Sequence, residues 1–151
     1  MGLPTPDEAR RRLLQASGAA LVSLQMEPVF AMPEELAAAL KRAFGVRRIQ
    51  PGRVKIEIPQ IAENGNVVPV TINVESPMTA DDYVKRIHLF SEHNPLPDIF
   101  EFELGPHNGK ARVSTRVRLA KSQNVLAVAT LNDDTLWSTQ AMVEVTVSGC
   151  G

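Results

Sequence analysis

The sequence predicts an all-β fold: an immunoglobulin-like antiparallel β-sandwich of about seven strands, with an N-terminal helix and a flexible C-terminal arm. From Arg53 onward, apolar and polar residues alternate, which is typical of strands with one buried face. Clusters of turn-forming residues interrupt this alternation at intervals of roughly 8–12 residues. The length of 151 residues fits a single domain. A closed β-barrel is the alternative architecture.

A helix is predicted at the start of the domain, within a segment of helix and linker that covers residues 32–52. Pro33 suits a first helical turn, and Glu34 and Glu35 favour the positive end of the helix dipole. Gly45 is suited to end the helix. The apolar positions lie three and four residues apart and form one stripe: Leu36, Ala39, Leu40, Ala43 and Phe44. This stripe is expected to pack on the following domain, and burial against a partner is the alternative.

Seven segments with a two-residue period are predicted as the strands of the sandwich domain, which covers residues 53–147. They are residues 54–58, 68–75, 83–90, 99–104, 111–119, 125–130 and 136–147. Asn64-Gly65-Asn66 marks the turn between the first two. Pro69 has no backbone N–H to donate, so its part of the second strand is expected at an edge or a bulge.

Residues 1–31 have the pattern of a secretory leader. Arg10-Arg11-Arg12-Leu13-Leu14 precedes a weakly apolar stretch, and Val29-Phe30-Ala31 has small or branched residues where a signal peptidase reads the chain. Paired arginines, a spacer and two leucines are typical of twin-arginine signals. The sequence therefore predicts a twin-arginine-type signal peptide over residues 1–31 and a periplasmic protein. An amphipathic helix rich in Ala and Leu is the alternative.

The composition excludes several classes of partner. A net charge of -1 provides no general attraction to nucleic acid or to an anionic membrane. Aromatic residues make up 5% of the chain, too few for a platform that stacks single-stranded bases. The apolar stretch of the leader is too short to span a bilayer. We therefore expect neither a nucleic-acid partner nor a membrane partner.

The titratable residues form no catalytic or metal-binding pattern. His88, His93 and His107 share no ligand spacing, so no metal site is expected. The adjacent pairs Asp81-Asp82 and Asp133-Asp134 are typical of capping or solvated carboxylates in turns. The chain has no nucleophile elbow, phosphate-binding loop or dinucleotide fingerprint. Neither catalytic residues nor a cofactor are expected, and the chain is predicted not to be an enzyme.

Two further features are expected to be structural. Arg112, Arg116 and Arg118 lie at even offsets and share one face, which is expected to be solvated, with an acidic partner as the alternative. Trp137 is expected in the core, with a role at an interface as the alternative.

Cys150 is different in kind, because it is the only cysteine and lies in the short segment 148–151 beyond the last predicted strand. Its neighbours Gly149 and Gly151 add no side chains, and Ser148 adds a small one, so this arm is predicted to be flexible. A bare thiol without an adjacent cation is a poor catalyst but an accessible point of attachment. A labelling site, an intermolecular disulfide and a lipid acceptor are the alternatives. A prenylation box is excluded because one residue follows the cysteine.

Three stretches resemble the SoxY family, the sulfur-compound carrier subunits of the bacterial Sox thiosulfate-oxidising system. They are "IAENGNVVPVTINVESPMTADDYVKRIHLF", "VSTRVRLAKSQNVLAVA" and the terminal "VTVSGCG". The family's hallmark is a Gly-Gly-Cys-Gly-Gly arm. Ser148 replaces the first glycine here and the final glycine has no counterpart, but Cys150 and both its neighbours match.

The resemblance implies a function for Cys150, which would hold sulfur intermediates covalently while other proteins act on them. The implied partners are SoxZ, a second sandwich that forms a heterodimer with the chain, and three transient enzymes. The SoxAX cytochrome would couple thiosulfate to the thiol, SoxB would hydrolyse off sulfate, and a sulfane dehydrogenase would oxidise the remaining sulfur. The helix stripe and apolar positions near Phe90 to Phe102 are candidates for burial against SoxZ, although the core is the first expectation for both.

Two other functions stay open at this point. One is a carrier of the same kind that serves another pathway. The other is an exported immunoglobulin-like binding module whose terminal cysteine only forms an intermolecular disulfide.

Overall fold

The alternating apolar residues of the chain form two β-sheets that face each other across one core. The computed structural model describes residues 32–147. Within this range it contains one α-helix, one short 3₁₀ helix and nine strands. The all-β, immunoglobulin-like sandwich predicted from the hydrophobic period is confirmed. None of the helices in this range is both long enough and apolar enough to cross a membrane.

The helix and the strands have the following bounds. They are α1 (Glu34–Phe44), β1 (Ile49–Pro51), β2 (Val54–Glu57), β3 (Ile61–Ala62), β4 (Val68–Val74), β5 (Val84–Ser91), β6 (Asp98–Glu103), β7 (Arg112–Val117), β8 (Gln123–Leu131) and β9 (Leu136–Val145). The 3₁₀ helix, Pro106–Asn108, lies between β6 and β7.

The larger sheet has the strand order β1-β9-β8-β5-β6, and β3 also pairs with β9. The smaller sheet has the order β2-β4-β7. The seven predicted strands correspond to β2 and to β4 through β9, and all neighbours among these seven are antiparallel.

Strands β1 and β3 do not appear in the sequence-based prediction. They have three and two residues and pair in parallel with the two ends of β9. Strands of two or three residues are too short to show a hydrophobic period in the sequence. Whether they form depends on the strand beside them. Between them the chain leaves the larger sheet, forms β2 in the smaller sheet and then returns.

The main core lies between the sheets and consists of inward-facing residues from both. Fully buried members come from β4, β5, β8 and β9, and they include Val68, Ile72, Val84, Ile87, Leu89, Val125, Ala127 and Val143. Leu119, which follows β7, belongs to the same cluster. Because the two sheets share these apolar contacts, the sandwich folds around one core.

Helix α1 covers the outer face of the larger sheet. Its N-terminus follows Pro33, and Gly45 ends it with a positive φ of 67°. The apolar stripe packs on the sheet as expected, in a second cluster that joins four helix residues to three sheet residues: Leu36, Ala39, Leu40, Phe44, Phe90, Val128 and Leu136. The stripe and Phe90 are therefore core, whereas the Phe102 residue remains 40% exposed at the sheet edge.

Pro69 lies where the prediction requires it. Strand β4 is central in the small sheet, but its pairing with β2 stops at Thr71. Pro69 therefore pairs only with Arg116 of β7. The N–H that proline lacks would point to the side where β4 has no neighbouring strand at this position. No hydrogen bond of the sheet is therefore lost.

Candidate functional site

The candidate site begins at the end of strand β9, where the chain continues toward Cys150. Thr146, just after β9, donates its backbone N–H to the oxygen of Ala62 at 3.0 Å and its hydroxyl to the oxygen of Glu63 at 3.3 Å. The carbonyl of Val147 accepts a hydrogen bond from the N–H of Gly65 at 3.0 Å. The last two described residues are therefore fixed to the segment that follows β3.

The segment Asn64–Asn66 connects this end of the chain to the opposite sheet. The side chain of Asn64 accepts the N–H of Asn66 at 2.9 Å, which closes a local turn. The carbonyl of Gly65 accepts the N–H of Leu119, a core residue, at 2.7 Å. Gly65 thus bonds both Val147 and Leu119. The sequence shows Asn64-Gly65-Asn66 as a turn, but nothing local indicates that it holds the base of the arm.

Cys150, with Ser148, Gly149 and Gly151, lies outside the described residues, so the attachment site remains a sequence prediction. Its tether has a defined length, because Cys150 is three residues beyond Val147. Three residues extend over at most about 11 Å. The Cα of Cys150 therefore lies within about that distance of a residue fixed by hydrogen bonds to the sandwich.

The three histidines lie apart, as their sequence spacing suggests. His88 is in the middle of β5 and only 4% exposed, whereas His93 is exposed on a loop and His107 is exposed in the 3₁₀ helix. The His88 ring stacks on Phe90 with centroids 5.7 Å apart and meets the Phe44 ring edge-on at 5.0 Å. Between Met32 and Val147, no group of three or more His, Cys, Asp or Glu residues is placed to hold a metal ion.

Burial lowers the pKa of His88, and the nearby Arg86 charge adds to the effect. The carboxylates of Glu101 and Asp98 act in the opposite direction. The His88 Nε2 lies 3.9 Å from Glu101 Oε1, and its buried Nδ1 has no hydrogen-bond partner among residues 32–147. His88 is thus a neutral core residue at neutral pH.

The paired aspartates hold turns together. Asp133 accepts the backbone N–H of Thr135 at 3.0 Å, and the Thr135 hydroxyl lowers the pKa of the Asp133 carboxyl. Lys85, 2.9 Å from Asp134, lowers the pKa of that carboxyl. Both observations confirm the capping and solvated roles expected for this pair.

Asp82 has a similar structural role. It accepts two hydrogen bonds from Arg53, at 3.1 and 3.3 Å. The guanidinium of Arg53 also lies 5.8 Å from the centre of the Trp137 ring. Trp137 packs against the main core and donates its indole N–H to the Thr135 hydroxyl at 3.1 Å. Trp137 is therefore a half-buried core residue, as expected.

The arginines of the second half of the chain form a solvated face. Arg112 and Arg116 on β7, and Arg118 just beyond it, are all exposed. None of them forms an ion pair with another described residue. The expectation of a shared, water-exposed face is confirmed.

Solved structures with low sequence identity show how widespread this fold is. A superoxide reductase (neelaredoxin) from Ignicoccus hospitalis matches with a TM-score of 0.55 and 22% identity, over 62% of this chain and 80% of that one. A putative superoxide reductase from Thermotoga maritima matches with a TM-score of 0.55 and 19% identity, over 67% and 95% of the two chains. At this identity the likeness concerns the sandwich fold alone. No curated protein matches the chain by sequence.

Two matches are specific. The family model of the sulfur oxidation protein SoxY matches residues 40–150, a range that starts in α1 and includes Cys150. The structure of the sulfur carrier protein SoxY from Chlorobium limicola f thiosulfatophilum matches with a TM-score of 0.63 and 32% identity. That match covers 75% of this chain and 97% of the other. The family model and the structural match thus place this chain in the SoxY family of sulfur oxidation proteins.

Proposed function

We propose that this protein is a carrier that holds sulfur intermediates covalently on Cys150 and presents them to other proteins of the Sox system. The observation that supports this function most directly is the position of the one cysteine. Cys150 lies three residues beyond Val147, whose carbonyl accepts a hydrogen bond from Gly65 of the rigid sandwich. Membership of the SoxY family adds the chemical class, sulfur oxidation.

Loading is an oxidation of the Cys150 thiol together with thiosulfate. The thiol sulfur bonds to the outer sulfur of thiosulfate, the thiol proton leaves, and two electrons pass to an acceptor. The SoxAX cytochrome is the acceptor in this proposal. Gly149 and Gly151 provide neither a base nor a cation for this step. The thiol therefore depends on the partner's active site for activation.

Unloading is a hydrolysis. Water attacks the sulfonate sulfur of the adduct, the sulfur–sulfur bond breaks, and sulfate leaves with two protons while a persulfide anion stays on Cys150. SoxB catalyses this step in the proposal, and a sulfane dehydrogenase oxidises the remaining sulfur. Because the intermediate stays tethered, each enzyme meets it at a high effective concentration.

The protein works in the periplasm as a heterodimer with SoxZ in this proposal. A twin-arginine leader exports folded cargo, which allows the two subunits to leave the cytoplasm together. The leader pattern of residues 1–31 supports this location. Membership of the SoxY family supports the pairing with SoxZ.

The function is tested by the intact mass of the protein after incubation with thiosulfate, SoxZ and the oxidised SoxAX cytochrome. We expect an added mass equal to one thiosulfate, which is removed by SoxB with release of sulfate. Cys150→Ser is the control and should gain nothing, because the chain has no second thiol.

Two results would contradict the carrier function. One is an unmodified Cys150 in a mixture in which the cytochrome oxidises another SoxY-family protein. The other is a disulfide-linked dimer as the only oxidised product, which would favour the binding module whose cysteine only joins two chains.

A further inference from the structure

Strand β9 has an unpaired edge in its middle. Strand β1 pairs with Leu136 to Ser138, and β3 pairs with Glu144 and Val145. Between them, the residues 139–143 pair with β8 on one side and with no other strand among residues 32–147. This recess is five residues long, or about 16 Å.

The backbone groups that face this recess can be assigned from their neighbours. The carbonyl of Ser138 accepts from Gly52, and the N–H of Glu144 donates to Gln60, so both residues face the β1 and β3 side. Residues that alternate along a strand face the same edge. Gln140 and Met142 therefore direct two N–H groups and two carbonyls into the recess.

A partly apolar groove lies beside these backbone groups, where the edge of the small sheet meets β9. It has a volume of about 800 Å³. Its apolar lining is Ile56, Ile58, Ile61, Ala141 and Met142, and its polar lining is Gln60, Ser122 and Glu144. Ile61 is 59% exposed and Met142 is 55% exposed. The combination of an open strand edge and an apolar groove is the arrangement that binds an added strand from another polypeptide.

Two long edge strands of the sandwich, one in each sheet, carry charged residues. Strand β6 has Asp98, Glu101 and Glu103, and strand β7 has Arg112 and Arg116. Charged side chains on an edge oppose pairing with another strand. The recess sequence, Thr-Gln-Ala-Met-Val over residues 139–143, contains no charge.

Cys150 does not reach the far part of the groove. It lies three residues beyond Val147, and three residues extend over at most about 11 Å. Met142 lies five residues back along the strand from Val147, or about 16 Å.

A second copy of this chain cannot dock through the same stretch of β9. That stretch is recessed between β1 and β3, and two recessed edges cannot meet. The occupant must present a projecting, extended segment. Glu144 lines the groove and has no ion-pair partner among the described residues, which favours an occupant with a basic residue beside an apolar one.

We propose that the recess of β9 binds an extended segment of the heterodimer partner SoxZ, which adds a strand to the larger sheet between β1 and β3. This inference rests on the proposed function for the identity of the partner. A lasting partner fits better than a transient enzyme, because exposed Ile61 and Met142 become buried, and permanent interfaces are the more apolar ones. The docked segment lies beside the strand that leads to Cys150 and leaves the tail free for the enzymes.

The test measures the affinity of the full chain for purified SoxZ by calorimetry, with two variants in the recess and one matched control. Gln140→Pro removes a backbone N–H that faces the recess and leaves the hydrogen bonds between β9 and β8 intact. Met142→Lys places a charge in the groove. Glu103→Pro is the control on β6. Its N–H also faces a free edge, because the next N–H, that of Leu104, bonds to Lys85.

We expect both recess variants to weaken binding about tenfold or more and Glu103→Pro to bind like the unaltered chain. Hydrogen exchange supplies a second measurement that needs no substitution: SoxZ should protect the amides of Gln140 and Met142. Unchanged affinity of both recess variants would overturn the proposal, as would equal loss in Glu103→Pro or exchange at these amides that SoxZ does not alter. A dimer of the chain alone that Gln140→Pro dissociates would also overturn it, in favour of a second copy.

The outcomes separate this inference from the carrier function. If Cys150 is loaded in the presence of SoxZ but the recess variants bind normally, the carrier function stands and the docking surface is wrong. If SoxZ does not bind the unaltered chain, both the docking surface and the proposed heterodimer are wrong.

Discussion

His88 makes the packing between helix α1 and the larger sheet sensitive to pH. The sequence places it in the middle of a strand, and the expectation of a core or solvated histidine is confirmed as core. What the sequence does not show is that its ring lies between Phe44 of the helix and Phe90 of the same strand. Burial favours the neutral imidazole, and among residues 32–147 no hydrogen-bond acceptor lies at Nδ1 to stabilise the cation.

The lowered pKa of His88 predicts that the protein loses stability in mild acid. In the unfolded chain the imidazole takes up a proton near its ordinary pKa of 6.5, whereas the folded protein resists protonation until a lower pH. The unfolded state then binds more protons, so the free energy of unfolding falls as the pH drops below 6.5 and stops falling below the folded pKa. Urea unfolding measured between pH 7 and pH 5 reports this slope.

His88→Met is the control for this prediction, because it keeps an apolar side chain of similar length and cannot titrate. We expect its unfolding free energy to vary less with pH than that of the unaltered protein over the same interval. Equal slopes in the two proteins would show that other groups cause the acid sensitivity.

At the scale of the element, helix α1 depends on its aromatic contact with the sheet. Phe44 is 4% exposed and packs its ring edge-on to both His88 and Phe90. Phe44→Ala leaves a cavity between helix and sheet and should lower the free energy of unfolding by about 3–5 kcal/mol. Arg42→Ala, on the exposed face of the same turn, should change it by about 0.5 kcal/mol or less. Chemical denaturation of both variants measures the difference, and equal effects would show that α1 is not docked through Phe44.

The end of strand β9 separates residues that belong to the fold from residues that belong to the tail. Removal of residues 148–151 deletes none of the hydrogen bonds among residues 32–147, so we expect an unchanged Tm. Removal of residues 146–151 also deletes the bonds of Thr146 and Val147 to Ala62, Glu63 and Gly65. Each bond contributes about 1 kcal/mol, so the Tm should fall by several degrees. A large drop for the shorter truncation would mean that the tail packs on the sandwich.

At the scale of the whole molecule, the predicted periplasmic location rests on the leader pattern of residues 1–31. If they form a twin-arginine signal, replacement of both Arg10 and Arg11 by lysine should block export and leave the full-length chain in the cytoplasm. Cell fractionation, with the mass of the periplasmic form, measures this outcome. Replacement of Arg12 alone, at the spacer position, is the matched control and should have little effect. Normal export of the double variant would exclude this route.

The predictability of the site differs from part to part. Cys150 is identifiable from sequence because a lone cysteine between glycines is a local pattern, and so are its neighbours Ser148 and Gly149. The base of the arm is not identifiable, because Gly65 meets Val147 across more than eighty residues. The recess of β9 is also invisible in the sequence, since it exists only because β1 and β3 stop short of each other.

The sequence by itself determined α1 and the seven longer strands, and it predicts Cys150 as the attachment site. Each of these depends on local periodicity or on the identity of one residue, and both can be read along the chain. Only the tertiary structure decided that the stripe of α1 meets the sheet at Phe90 and Leu136. It also decided that, within residues 32–147, Pro69 lies where β4 has one neighbour and the middle of β9 pairs on one side only. These arrangements come from contacts between segments that are distant in the sequence. The free energy of such a contact depends on both surfaces, so neither segment alone predicts it.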